Sequence, residues 1–228
     1  KVINTFLAKK FVFLKCTRQS ASRRLIKLKK AGLVKIQSVS SEDDIQKVYS
    51  LTPKGFSIIG QLMNPIPDHR ELGSASIVHD LELVSIGEKI QQSPMIEEYL
   101  TENVLKSSSQ FTNSRPFKAF CDLHSDAYAI LNVAGKKYSV AIEYEASTKS
   151  LERLECKLTT YHLEDEIHAI FYICKDAVIE KAITTIEEKI CQQFSIKVYT
   201  ILLNDFMGND DFAIFKTFNG QNENGQII

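Results

Sequence analysis

Nowhere in this 228-residue chain is there a run of eighteen apolar residues, so no transmembrane helix is expected. No apolar stretch follows the lysine-bearing start, so no secretory leader is visible. Paired cysteine spacing is missing too. Cys16, Cys121, Cys156, Cys174 and Cys191 are scattered and odd in number, which speaks against a disulfide framework and against structural zinc. Cys174 and Cys191 sit among apolar neighbours and read as small hydrophobes, and the expected setting is a reduced cytoplasm. Internal repeats and low-complexity tracts are absent, and the first forty residues contain no acid at all.

That last absence carries the most information. The same forty residues hold eleven bases, and the remaining 188 hold seventeen bases against twenty-eight acids. A formal net charge of zero therefore conceals a head of +11 joined to a body of −11. Clustered Lys and Arg displace condensed counterions from a phosphate backbone, so the head reads as the electrostatic footprint of a nucleic-acid binder.

The apolar pattern argues that the head is folded. Ala21, Leu25, Leu28 and Ala31 recur at helical spacing while Arg23, Arg24, Lys27 and Lys30 fall on other faces. Ser20 or Ser22 is placed to cap this helix and Gly32 to end it. Leu33 to Val39 alternates, Ser40-Ser-Glu-Asp-Asp forms a polar tip, Ile45 to Leu51 returns, and Thr52-Pro53 opens a short helix over Lys54 to Leu62. Helix, hairpin, helix is the order of a winged helix-turn-helix. An arginine-bearing helix of that kind suits the major groove, with Arg18, Ser20, Ser22, Arg23, Arg24, Lys27 and Lys30 as the DNA-binding candidates. The acidic tip Glu42-Asp43-Asp44 would repel phosphate and is expected to point away from DNA.

Length alone implies two domains. The prolines in Met63-Asn-Pro-Ile-Pro-Asp-His-Arg interrupt the pattern, giving a winged helix over 1–63, a linker over 64–75 and a second domain over 76–228. In the second, Ser76 to Gln92 reads as a helix and Ile96 to Leu105 as a strand. After a polar loop, Asp126 to Val133 and Tyr138 to Glu145 form a hairpin around Ala134-Gly-Lys-Lys. Thr148 to His162 and Ala177 to Phe194 read as amphipathic helices. Ile167 to Cys174 and Ile196 to Leu203 read as buried strands, and Phe212 to Phe218 as an edge strand. Strands apolar on both faces, alternating with helices, indicate a mixed α/β sheet flanked by helices.

This element order resembles the restriction-endonuclease-like, PD-(D/E)XK fold. In that family an acid opens the second core strand and acid-x-Lys follows on the third. Here Ser125-Asp126 opens one strand and Glu143-Tyr-Glu145 ends the next. The resemblance implies Asp126, Glu143 and Glu145 as ligands of Mg²⁺ or Mn²⁺, a hard cation that activates water for phosphodiester attack. Period-two geometry places Glu143 and Glu145 on one face. The chain departs from the family where its lysine should stand, at Glu145. Lys149 or Lys157, from the following helix, would have to replace it. The competing and preferred reading makes Glu143 and Glu145 a plain ion-pair cluster with Lys149 and Arg153, leaving the nuclease-like domain inactive. His79, His124 and His162 show no metal-ligand spacing and read as surface or capping residues.

The whole chain resembles the replication-relaxation family of bacterial plasmids and integrative elements, a winged helix followed by a nuclease-like domain. The motifs are Ser22-Arg-Arg-Leu-Ile-Lys-Leu-Lys-Lys-Ala-Gly-Leu-Val, Tyr49-Ser-Leu-Thr-Pro-Lys-Gly, His79-Asp-Leu-Glu-Leu, Ser125-Asp-Ala-Tyr-Ala, Ile142-Glu-Tyr-Glu and the step from Lys157 to Tyr161. Pro-Asp and Glu-x-Asp of the family become Ser125-Asp126 and Glu143-Tyr-Glu145 here, which keeps the charges. The resemblance implies a role in replication, DNA relaxation or conjugative transfer. Three functions follow as expectations. The first is a duplex-DNA-binding accessory or regulatory protein, a homodimer partnering a relaxase or another replication or transfer protein, nucleoid- or plasmid-associated and not membrane-bound. The others are a metal-dependent endonuclease or nickase using Asp126, Glu143, Glu145, Lys149 and Lys157, and a winged-helix transcriptional repressor.

Overall fold

The computed structural model describes residues 2–4, 7–40, 45–62, 76–106, 111, 113–115, 117–195 and 197–209. The chain divides into two compact units, Lys1–Glu88 and Lys89–Ile228. The linker expected over 64–75, the acidic tip 42–44 and the edge strand expected over 212–218 lie outside the described residues.

In the first unit, helix α1 (Arg18–Lys30) is followed by strands β2 (Val34–Ser40) and β3 (Ile45–Leu51) and helix α2 (Pro53–Leu62). The cap of α1 differs from the expected serines. Thr17 is extended (φ −73°, ψ 160°), and its hydroxyl accepts the backbone N–H of Ser20 at 3.2 Å. The helix thus begins one turn early, with Ser20 and Ser22 inside it. Gly32 ends it in the left-handed region at φ +72°, with Leu33 N donating to Leu28 O and Gly32 N to Lys29 O, a Schellman closure. The hairpin register is continuous from Val34↔Leu51 to Ser40↔Ile45. A strand β1 (Val2–Asn4), not anticipated from the sequence, pairs antiparallel with β3 and gives the sheet order β1-β3-β2. It is only three residues long, too short for a periodic signal.

Thr52 fastens α2 to the hairpin. Its hydroxyl accepts Gly55 N–H at 3.1 Å and donates to Gly32 O at 2.6 Å. Pro53 fills the first helical position, where no intrahelical donor is needed. Ala8, Leu25 and Tyr49 form the small buried core, with Ile3, Phe13, Val34 and Ile36 packed against it. Helix α3 (Ile77–Ile90) carries the division between the units.

The second unit is built on a five-stranded mixed sheet in the order β4-β5-β6-β7-β8, comprising β4 (Ile96–Thr101), β5 (Ala127–Val133), β6 (Lys136–Glu145), β7 (Ala169–Cys174) and β8 (Val198–Leu202). The first three strands run antiparallel and the last three parallel. Helices α6 (Leu151–Leu163) and α7 (Ala177–Ile190) make the two crossovers. Their apolar stripes (Leu154, Leu158 and Tyr161; Ile179, Ile183, Ile186 and Ile190) pack with Tyr128, Ala141, Ile170, Tyr172 and Val198 from one sheet face. Each such fully buried side chain contributes about 1.5–3 kcal/mol. The alternate residues Ala127, Ala129, Leu131, Ile142, Phe171 and Ile173 are buried as well. This explains the nearly continuous apolar runs in the sequence. The fold is therefore α+β, with a mixed sheet flanked by helices.

Three local departures have physical causes. The strand expected to reach Leu105 stops at Thr101 and gives way to one helical turn, α4 (Glu102–Leu105). Glu102 N there donates to Asp126 O, and Lys106 pairs with Glu102 at 2.7 Å. The β5–β6 turn is only two residues, Ala134 (φ 51°) and Gly135 (φ 83°), with Asn132 Oδ1 accepting Gly135 N–H, so β6 starts at Lys136 rather than Tyr138. Helices α5 (Phe117–Asp122) and α8 (Leu203–Gly208), six residues each, were not anticipated because so short an element shows less than two turns of periodicity.

Candidate functional site

On α1 the inward residues are Ala21 and Leu25, both buried, with Leu28 half-buried behind them. At 100° per residue, Arg23, Lys27 and Lys30 cluster on the opposite face. All three are exposed, and none is ion-paired with a described residue. Arg18 and Lys29 are exposed at the flanks, and the Arg24 guanidinium lies over the Phe13 ring, 5.0 Å from its centroid. Ser20 and Ser22 are half-buried, and Ser20 Oγ accepts from the Thr17 hydroxyl at 3.1 Å.

The second unit gathers the acids singled out from the sequence. Register pairs Ala127 with Ile142, so Asp126, one step outward, stands across from Glu143. Parallel pairing sets Glu143 beside Tyr172 and Glu145 beside Cys174, on the face covered by α6 and α7. Lys157 and Tyr161, one turn apart on α6, both reach Glu143. The Lys157 ammonium contacts Oε2 at 2.6 Å and the Tyr161 hydroxyl donates to Oε1. Ser125 Oγ is 2.6 Å from the Tyr161 hydroxyl. Asp126 Oδ2 accepts the backbone N–H of Tyr144 at 2.8 Å. Glu145 is paired with Lys149. Asp126, Glu143 and Lys157 thus converge, Glu145 and Lys149 form an adjoining pair, and the ion pairs of these glutamates are made by Lys157 and Lys149 rather than by Arg153.

Burial and charge together set the titration of this network. Burial first, then the facing Glu143 carboxylate, push Asp126 from 3.8 up to about 7, against the pull of the Tyr144 N–H and Lys157. Burial alone would lower Lys157, but the charge and hydrogen bond of Glu143, with Asp126 and Glu145 behind, hold it above its ordinary value. Tyr161 and Tyr172 are pushed well up, by burial and then by Glu143. The Tyr172 hydroxyl is fully buried beside these acids without a partner among the described residues. The donor set of carboxylate oxygens suits Mg²⁺ or Mn²⁺. Both oxygens of Glu143, however, are engaged by protein donors, Lys157 and Tyr161.

A second cluster escaped the sequence reading. His162, expected at the surface, is fully buried, and its Nε2 lies 2.8 Å from Glu187 Oε2. Glu187 Oε1 accepts the backbone N–H groups of Lys197 and Val198, each at 3.1 Å, and the Cys191 thiol at 3.2 Å. Cys191, read as a small hydrophobe, is thus a polar partner. The signal was present in the i, i+4 spacing of Glu187 and Cys191 on one helix face, but His162 joins them only through the packing of α6 on α7.

No helix among the described residues is long and apolar enough to cross a membrane. Compared with protein-family models, curated proteins and solved structures, the chain matches none.

Proposed function

We propose that this chain is a sequence-directed duplex-DNA-binding accessory or regulatory protein of a plasmid or integrative element. In this reading the first unit is a winged helix-turn-helix and the second a restriction-endonuclease-like domain that does not catalyse. The observation that carries it is the outward face of α1, where Arg23, Lys27 and Lys30 stand exposed within a stretch of forty residues free of acids. Helix α1, the β2–β3 hairpin and α2 supply the expected order of parts. The engagement of both Glu143 oxygens by Lys157 and Tyr161 supports the non-catalytic role of the second unit. A homodimer would present two such helices to symmetric half-sites, and the acidic body would remain to dock a relaxase or another transfer protein.

Binding of the purified chain to duplex DNA, including duplexes enriched from a randomised pool, is measured by anisotropy over a salt series. Each phosphate contact adds about 0.9 to the slope of log affinity against log salt. The triple variant Arg23→Ala, Lys27→Ala, Lys30→Ala should therefore flatten that slope by roughly 2.7. An unchanged slope and affinity would remove α1 from DNA binding.

One observation favours a second reading as a metal-dependent endonuclease: Lys157 sits on Glu143 with Asp126 facing both. It requires nicking of supercoiled plasmid with Mn²⁺ that disappears in Glu143→Ala.

A further inference from the structure

We infer that His162, Glu187 and Cys191 form a binding site for a borderline-soft divalent cation of the zinc class, separate from the Asp126–Glu143 centre. One donor atom from each residue lies within 4.8 Å of the other two. The set comprises an imidazole nitrogen, a carboxylate oxygen and a sulfur, the donors that zinc takes at about 2.0–2.3 Å.

Three further observations support it. Glu187 and Cys191 are one turn apart at the end of α7, so a single helix face presents both donors. His162 comes from the last turn of α6, which makes the site a tie between two helices. The carboxylate is already oriented as a ligand should be. Oε1 accepts the Lys197 and Val198 N–H groups and the Cys191 thiol, while among the described residues Oε2 is engaged by the His162 ring alone. Such outer hydrogen bonds fix a ligating carboxylate and raise its affinity for metal. The Lys197 ammonium is occupied by the carbonyl oxygens of Glu164 and His162, at 3.1 and 3.4 Å. Cys191 is half-buried, which leaves an approach for a cation and a fourth, water ligand.

Binding replaces protons in the present hydrogen bonds. The Cys191 thiol, pushed up to about 12 by burial and the Glu187 charge, loses its proton to solvent and becomes a thiolate. In the tautomer that donates Nε2–H to Glu187, the ring proton moves to Nδ1, which is buried without a partner among the described residues, and Nε2 is freed for the metal. Thiolate and carboxylate together balance a dication, and one proton is released per ion bound.

The test uses the intact chain, stripped with a chelator under reducing conditions and titrated with Co²⁺ as a spectroscopic stand-in for zinc. The expected result is a thiolate-to-cobalt charge-transfer band that saturates at one equivalent, persists in Cys156→Ser and is lost in Cys191→Ser. In the unmutated chain, one equivalent of Zn²⁺ should slow alkylation of Cys191, read by peptide mass mapping, so the conclusion does not depend on whether the serine variant folds. No band at one equivalent, a band surviving in Cys191→Ser, or alkylation of Cys191 unaffected by Zn²⁺ would each overturn the assignment.

Discussion

Replacing Asp126 with Asn probes the charge arrangement of the second unit through its pH dependence. Asp126 faces Glu143 across the β5–β6 pair, and burial and that like charge together lift its carboxyl from 3.8 to about 7. Below pH 3.8 the group is protonated in folded and unfolded chains alike and contributes nothing to the difference. Between there and about 7 the folded chain keeps a proton that the unfolded chain has released, so this group's contribution to stability falls as pH rises. Above about 7 the whole penalty stands. The interval sets a ceiling of about 4 kcal/mol, and partial exposure with solvent screening reduces it to roughly 2 kcal/mol. The Asn amide oxygen can still accept the Tyr144 N–H, so the variant keeps the geometry and loses the charge. Urea unfolding in the presence of chelator should give nearly equal stability for the two proteins at a pH below 3.8 and a variant more stable by about 2 kcal/mol at pH 8. A difference independent of pH, or an Asn variant weaker at pH 8, would refute the reasoning.

Two further outcomes test the packing. At Gly55 an added Cβ would stand 2.1 Å from the Leu33 carbonyl oxygen, a backbone atom that cannot swing away, whereas at Gly208 it would meet nothing within 4 Å. Gly55→Ala should lower the stability of the first unit by about 1–3 kcal/mol, and Gly208→Ala should leave the denaturant midpoint in place. Tyr161→Phe removes the hydroxyl shared by Glu143 and the buried Ser125 and should cost about 1–3 kcal/mol. Ser125→Ala in that background should then cost less than it does alone. Strict additivity in this double-mutant cycle would mean that the hydrogen-bonded chain is not coupled.

Where an element owes its form to local chemistry, the sequence is sufficient. The 3.6-residue recurrence of Ala21, Leu25 and Leu28 and the stop at Gly32 mark α1. The alternation from Leu33 to Leu51 marks the hairpin, and the apolar runs Ile170–Ile173 and Val198–Ile201 mark strands buried on both faces. Glu143 and Glu145 share a face because strand period is two, but the turn expected over Ala134-Gly-Lys-Lys would have set Asp126 across from Glu145, and only the two-residue turn at Ala134 and Gly135 sets it across from Glu143. Lys157 as the partner of Glu143, rather than Lys149, depended on how far along the sheet α6 docks, a packing distance that no local pattern encodes. The same holds for His162. Its ring is drawn inside because the packing of α7 beside α6 brings Glu187 to it, and a lone histidine at the end of a helix carries no mark of that. Composition and periodicity determine which segments are helix, strand and charged surface. The side chains brought together from distant segments are decided by the parallel crossovers, because only the assembled sheet sets α6 beside the end of β6 and the last turn of α6 beside the end of α7.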